Sequence, residues 1–351
     1  MIKYLGSKRR LLSRIEETFR QIPEVRSVID LFSGTSRVGH RLKGSGYQVF
    51  ANDHNAYAAT LARCYVEADR ERWLEPAQKL IAELDLLPGS AGYFTETFCC
   101  QSRFFQPKNG ERVDAIRDEI ARKSLEPQLE AIVLTSLMEA ADRVDSTTGV
   151  QMAYLKSWAP RAENRLTLRM PDILPRAKSG AGRAFELDAL EAASTIDADA
   201  AYIDPPYNQH KYLGNYHIWE TLVRWDDPEA YGTAMKRIDC RTRSSEFNSK
   251  PRIGQAFQAV IDALSTPNLV VSFSNEGYIS REEMVEILAP RGQVAVLEVD
   301  HKRYVGAQIG IHSPEGKKVG TVSHLRNKEF LFVVTPEPID VEALMSPSTR
   351  G

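Results

Sequence analysis

Cysteine is scarce in this sequence. The 351 residues include four, Cys64, Cys99, Cys100 and Cys240, with no C-x-x-C pair and no histidines beside them at zinc spacing. That excludes a disulfide scaffold and gives no reason to expect a metal; a reducing cytoplasm is the expected setting. Long apolar runs are missing as well. No stretch reaches the roughly 18 residues that span a bilayer, so no membrane partner is expected. The N-terminus, Met1-Ile2-Lys3-Tyr4-Leu5-Gly6, lacks a signal-peptide core. Excess charge of one sign is also absent: 45 Lys and Arg against 47 Asp and Glu leave −2. The chain as a whole is no basic nucleic-acid coat, and any such surface must be local. Hydrophobic residues at 42% and charged residues at 26% argue against wholesale disorder. The length leaves room for about two domains.

The apolar pattern supplies seven strands, at 25–32, 47–52, 183–187, 199–203, 268–274, 293–300 and 329–334. A helix at 35–45 between the first two makes a βαβ unit, which predicts a parallel sheet. Helices at 8–21, 215–225, 252–264 and 280–289 fit around the strands. The last two strands have only the polar stretch 301–328 between them, which predicts antiparallel neighbours. From 54 to 180 the texture is helical, at 54–69, 73–84, 111–123 and 127–144, with irregular stretches between. The expected architecture is α/β: a seven-stranded, mostly parallel sheet with helices on both faces. Residues 1–60 and 181–334 would form the sheet domain, 61–180 a helical insertion and 335–351 a tail.

Three strand ends carry the chemistry. Asp204-Pro205-Pro206-Tyr207 follows the buried-looking run Ala200-Ala201-Tyr202-Ile203. Two prolines end the ladder and fix the backbone, so an acid and an aromatic are held at the carboxyl edge of the sheet, where α/β folds bind ligands. Asp30-Leu31-Phe32-Ser33-Gly34-Thr35-Ser36 ends the first strand. A dinucleotide fingerprint needs glycine at 36, so the serine argues against a hydride-transfer cofactor. Asp53 closes the second strand, where an acid can take both ribose hydroxyls of a nucleoside cofactor or cap the following helix. Neither Cys99 nor Cys100 follows a proline, which gives no support for a cysteine nucleophile of the C5-cytosine methylase kind.

These motifs resemble those of the D12-class, Dam-like DNA adenine N6-methyltransferases. The tetrapeptide resembles the catalytic motif of amino-methyltransferases, and the loop at 30–36 that of S-adenosylmethionine (SAM) enzymes. Lys3-Tyr4-Leu5-Gly6-Ser7-Lys8 resembles the family's N-terminal cofactor motif. The resemblance covers most of 1–334, loosely at 95–180, and the motifs stand in the family's order. It implies SAM as methyl donor, no metal, and direct in-line transfer to an adenine flipped out of double-stranded DNA. Asp204 and Pro205 would accept hydrogen bonds from the amine, Pro206 would complete the rigid turn and Tyr207 would stack on the base. Fixed acceptors at a developing cationic nitrogen are electrostatic preorganisation, and a base inside a duplex must be flipped to be reached. Tyr4, Lys8, Asp30, Phe32, Gly34, Asp53, Asp188 and Asp204 would contact the cofactor, Lys8 through its methionine carboxylate.

Target recognition is expected in the insertion, where Arg103, Gln106, Lys108, Asn109 and Arg112 suit purine edges. Two locally basic stretches, 236–252 with six cations against two acids and 301–328 with six against one, suit phosphates, with Arg243 and Lys318 as representatives. Residues 208–217 are expected to cover the catalytic motif. The alternatives are a cytosine-N4 or RNA amino-methyltransferase, or a non-catalytic SAM- or DNA-binding protein; Asp rather than Ser or Asn at 204 favours adenine. A cognate restriction endonuclease is a possible companion.

Overall fold

The computed structural model describes residues 1–302, 311–312, 318–320 and 326–338, with side chains for 1–299 and 328–338. All seven expected strands join one sheet: β1 Ser27–Asp30, β2 Gln48–Asn52, β3 Arg183–Phe185, β4 Ala200–Ile203, β5 Asn268–Ser274, β6 Gln293–Lys302 and β7 Arg326–Thr335, in the order β3-β2-β1-β4-β5-β7-β6. The first five are parallel to one another. β7 is antiparallel to both β5 and β6. The last two strands are therefore antiparallel neighbours as expected, and the later one inserts beside β5.

The central strands are apolar throughout because both of their faces are covered. In β4 all four residues are buried. Ala200 and Tyr202 face one core with Val28, Val270 and Leu331, under α1 (Leu12–Gln21) and α2 (Arg37–Gly44). Ala201 and Ile203 face the other core with Ile29, Leu269 and Phe332, under α7 (Ala189–Thr195), α9 (Ile253–Ala263) and α10 (Arg281–Leu288). A Ser280/Glu283 capping box starts α10.

The crossover from β2 to β3 carries the helical body. α3 (Ala56–Ala62) continues as a π-helical turn to Glu67, across the expected boundary at 60. α4 (Arg70–Asp85), α5 (Pro107–Lys123) and α6 (Pro127–Asp142) follow, the last two opening with proline at the first helical position. They share a core with α8 (His217–Arg224), built on Tyr57, Leu61, Phe94, Phe98, Leu137 and Trp219. The sheet order reverses at β1: β2 and β3 lie on one side and β4 on the other. This topological switch point opens a crevice at the carboxyl ends of β1 and β4, the place where open α/β sheets take ligands.

Candidate active site

Asp30 ends β1 on the floor of the crevice and Asp204 follows β4 beside it. Asp30 Oδ2 accepts a hydrogen bond from the Gly39 amide, at 2.9 Å. Burial, with Asp204 and Asp53 nearby, raises its carboxyl to about 7 against the lowering effect of that amide. The loop after β1 turns on two left-handed residues, Gly34 at φ 50° and Ser36 at φ 56°. A side chain at Gly34 would begin 3.2 Å from the Tyr4 ring, so the close approach of loop and aromatic requires glycine there. Ser36 takes the left-handed conformation without being glycine. Asp53 braces the loop: Oδ2 accepts from the Gly34 amide at 3.1 Å, and Oδ1 from the Asn55 backbone and side-chain amides at 3.0 and 3.1 Å.

The N-terminal segment closes over this loop. Tyr4 stacks between Tyr212 and Tyr216, with centroids 5.2 and 4.6 Å away, and shares a hydrogen bond with the Tyr57 hydroxyl at 3.2 Å. The Tyr216 hydroxyl accepts from the Leu5 amide at 2.6 Å. Lys211, Tyr212 and Leu213 line the crevice, so the segment expected as a cover does border it.

Lys8 sits at the centre. Its Nζ lies 3.1 Å from Asp204 Oδ1 and 3.3 Å from Glu329 Oε2, with 6% of its side chain exposed. Burial alone would lower the ammonium's pKa, but the two carboxylates hold it well above the usual value. Burial raises the Asp204 carboxyl to about 6, Lys8 opposing and Glu329 adding. Pro205 is buried, and Pro206 lines the crevice. The Tyr207 ring packs on Phe273 at 5.4 Å with the Lys8 ammonium 5.6 Å from its centroid. Its carbonyl accepts from the Tyr278 amide. The crevice is narrow, with a cavity volume of about 90 Å³, and it is open to solvent at its mouth.

Tyr4, Lys8, Asp30, Phe32, Gly34, Asp53, Asp204 and Pro206 thus converge on one cavity. Asp188 does not: it is exposed and caps α7, accepting from the Leu190 amide at 2.9 Å. Arg243 is a second correction. It lines the same crevice, held by Glu220 at 2.9 Å and the His54 carbonyl at 3.1 Å, and does not stand on an outer phosphate-binding surface. Arg237 and Arg252 of its basic stretch are also carboxylate-paired. A third correction concerns the insertion. Asn109 is fully buried; it donates to the Ala162 and Asn164 carbonyls and accepts from the Leu166 amide, so it staples a loop and cannot reach a base. Arg112, buried and bonded to the Leu87 and Leu166 carbonyls and to Asp85, is equally internal. Arg103 lies half-exposed against Trp158, while Gln106 and Lys108 reach the surface beside Glu163. Lys318 heads a short strand, but its side chain, like most of 301–328, lies outside the described residues.

Sequence reasoning missed Glu329, Arg37 and Tyr57. Arg37 could have been suspected, as a cation one position after the expected cofactor loop. Glu329 carried no signal: it is one acid at the start of an otherwise ordinary strand.

A family model of D12 class N6 adenine-specific DNA methyltransferases matches residues 4–287. The chain belongs to that family. Type II methyltransferase M.FokI of Planomicrobium okeanokoites is 32% identical over 309 residues, 83% of this chain and 47% of the relative. Type II methyltransferase M.NlaIII of Neisseria lactamica is 27% identical over 341 residues, 94% of this chain and 100% of the relative. Modification methylase LlaI of Lactococcus lactis subsp. lactis is 26% identical over 322 residues, 86% of this chain and 51% of the relative. This D12-class chain therefore spans about half the length of M.FokI and LlaI. Burial raises the thiols of its Cys64 and Cys240 to about 12 and about 11, which makes poor nucleophiles of them. Among its described residues no helix is long and apolar enough to cross a membrane, and no three His, Cys, Asp or Glu side chains gather as a metal ion requires.

Proposed function

We propose that this D12-class protein transfers a methyl group from SAM to the N6 amine of an adenine in a specific double-stranded DNA sequence. The observation that carries the reading is the placement of Asp204 and Tyr207 at the switch point, beside a crevice whose loop is braced by Asp53. When bound, SAM supplies an electrophilic methyl group.

The crevice suits such a cofactor. Ser7 Oγ, Ser33 Oγ, Asn55 Oδ1 and Arg37 Nε are buried along it without hydrogen-bond partners. Unsatisfied buried polar atoms are costly and call for a polar ligand or water. Asp53 would hold the ribose hydroxyls, with Phe32 and Gly34 against the nucleoside and Tyr4 closing over it. Lys8 is bound by two carboxylates, so the half-buried Arg37 guanidinium is the better anchor for a methionine carboxylate. Asp204 and the Pro205 carbonyl would accept hydrogen bonds from the target amine, concentrating its lone pair on nitrogen, while Tyr207 stacks on the flipped base. The names of the relatives, type II methyltransferase and modification methylase, support a companion restriction endonuclease, and a DNA substrate together with the scarcity of cysteine suits a cytoplasmic setting.

The test is incubation with labelled SAM and unmethylated DNA, followed by nucleoside analysis. N6-methyladenine is expected; N4-methylcytosine alone, or label confined to RNA, overturns the reading. Calorimetric titration separates the cofactor roles. Asp53→Ala and Arg37→Ala should each weaken SAM binding by ten-fold or more, about 1.4 kcal/mol, with DNA binding little changed.

A further inference from the structure

We propose that Glu329 is a positioning residue for Asp204, acting through Lys8: it draws the lysine ammonium partly away so that Asp204 is left a stronger acceptor for the substrate amine. The inference rests on the adenine-methylation reading for its consequence, but not for its geometry.

Glu329 lies beyond the stretch matched by the family model, which ends at residue 287. It reaches the centre only because β7 inserts beside β5, where Glu329 stands opposite Ser274 on one side and Val299 on the other. The result is a compact cluster of three charges with side chains 6%, 12% and 18% exposed for Lys8, Glu329 and Asp204. One ammonium faces two carboxylates, a net charge of −1 in a largely desolvated place. Fold stability gives no reason for the second acid. Burying a carboxylate costs several kcal/mol, and a single well-placed pair would already satisfy the lysine. Among the described residues Lys8 is the one side-chain partner of Glu329.

The cluster does have a chemical consequence. An ammonium has three N–H donors and settles where its acceptors pull it. With Glu329 present, Lys8 Nζ is shared at nearly equal distances, 3.1 and 3.3 Å. Without it, the ammonium would close on Asp204 alone and hold more of the electron density that the amine needs. A general base or acceptor works best when it is as basic as it can be while still ionised at the working pH. Lys8 keeps Asp204 ionised and Glu329 keeps it basic, so the two act in opposite senses. The other groups around Asp204 are Tyr202 on β4, Tyr207, Tyr212 of the cover and Asp30 on β1. The tyrosines are neutral at working pH, their pKa values raised by burial, so Asp30 is the neighbour whose own titration must be followed.

The experiment labels aspartate carboxyl carbons with carbon-13 and follows Asp204 by NMR against pH, its signal identified by its loss in Asp204→Asn. The unsubstituted protein should titrate near 6. Glu329→Gln should move the midpoint down by about one pH unit and Lys8→Met should move it up by at least as much, the usual size for a charge at this range. The acid limb of the methylation rate on unmethylated plasmid DNA should move in the same two directions, with a lower plateau kcat for Glu329→Gln and an unchanged KM for DNA. Glu329→Asp, which keeps the charge one methylene farther away, should give a smaller downward movement; it serves in place of Glu329→Gln should that variant not fold. An Asp204 midpoint that both Glu329 variants leave in place would falsify the proposal. Failure of the functional reading looks different: no methylation by any variant, with the NMR midpoints still moving as stated.

Discussion

The sheet and the helical body use polar residues in opposite ways. At the sheet's carboxyl edge, Asp30, Asp53 and Asp204 come from three strand ends and line one crevice, together with buried polar atoms that lack partners. In the helical body several buried polar residues are engaged by the protein itself, although single atoms such as Arg117 Nη1 and His217 Nδ1 find no partner there among the described residues. Asp114 accepts from the Gly92, Phe94 and Thr95 amides. Arg117 donates to the Leu222 and Val223 carbonyls, and Asn109 and Arg112 bind loop carbonyls as described. A parallel sheet leaves unpaired functional groups at its switch point because the topology opens there. A helical body with long irregular connections must satisfy the backbone of those connections, and buried side chains do so. The same amides and guanidinia that suit base edges also suit orphan carbonyls.

The largest expected effect tests the sheet edge. Asp204→Ala should lower the methylation rate at least about 100-fold, roughly 3 kcal/mol of transition-state stabilisation. Its urea midpoint should not fall, since the lost carboxylate is buried at some cost. A rate within a few-fold of the unsubstituted protein would erase the contrast from the catalytic side.

Asn109→Ala should do the reverse. The change leaves two carbonyls and one amide of the 162–166 connection without their partner, at about 2–3 kcal/mol in all. Urea unfolding reads the loss. DNA site preference, measured on a variant still folded at working temperature, should be unchanged. A native urea midpoint with altered preference would restore Asn109 to the recognition surface and remove the distinction drawn above.

Acid should separate the regions by sign. His217 is buried in the helical body, and its Nε2 faces the Gln151 carbonyl at 3.0 Å. Burial lowers its pKa to about 3, whereas the unfolded chain takes up that proton near 6.5. The depressed value gives stability that is fully present above about pH 6.5 and is lost as pH falls toward 3, at up to about 1.4 kcal/mol per pH unit. Asp30 and Asp204 run the other way. Their folded values of about 7 and about 6 lie above the unfolded value near 4, so the folded protein binds those protons first and is favoured as pH falls from 7 toward 4. Urea midpoints between pH 7 and pH 5 should therefore rise relative to the unsubstituted protein in His217→Gln and fall in Asp30→Asn. Two variants moving in the same direction would contradict the assignment.

How much of this was legible follows from the same contrast. Asp204, Pro205, Pro206 and Tyr207 could be read because a buried strand, a proline pair and an aromatic fix a place in the fold as well as a chemistry. Asp53 could be read because the period of strands placed it at an edge. Asp188 could not be separated from a helix cap, since one carboxylate at one strand end serves either purpose, and here it caps. Arg243 failed because net charge along a stretch does not reveal Glu220, which faces it from α8. Glu329 was invisible because its partner is 321 residues away and reaches it only through the insertion of β7 beside β5.

The smallest expected effect belongs to the rim of the helical body, at Lys108. Its ammonium donates to the Glu163 carbonyl at 2.8 Å and lies 3.8 Å from that residue's carboxylate. Both side chains are more than half exposed. Such a pair contributes no more than about 1 kcal/mol and is screened by salt, so the lysine can exchange it for a phosphate without cost to the fold. Lys108→Ala should then leave the urea midpoint nearly unchanged. It should weaken cognate and scrambled duplexes by similar factors and make the salt dependence of binding shallower by about one phosphate contact. Titrations of both duplexes across a salt series measure all of this. A loss confined to the cognate duplex would mean that Lys108 reads a base, and the surface of the helical body would then carry specificity that its interior does not. Equal losses with a shallower slope would leave Arg103, against Trp158, and Gln106, beside Glu163, as the insertion's remaining candidates for base recognition among the residues proposed for it.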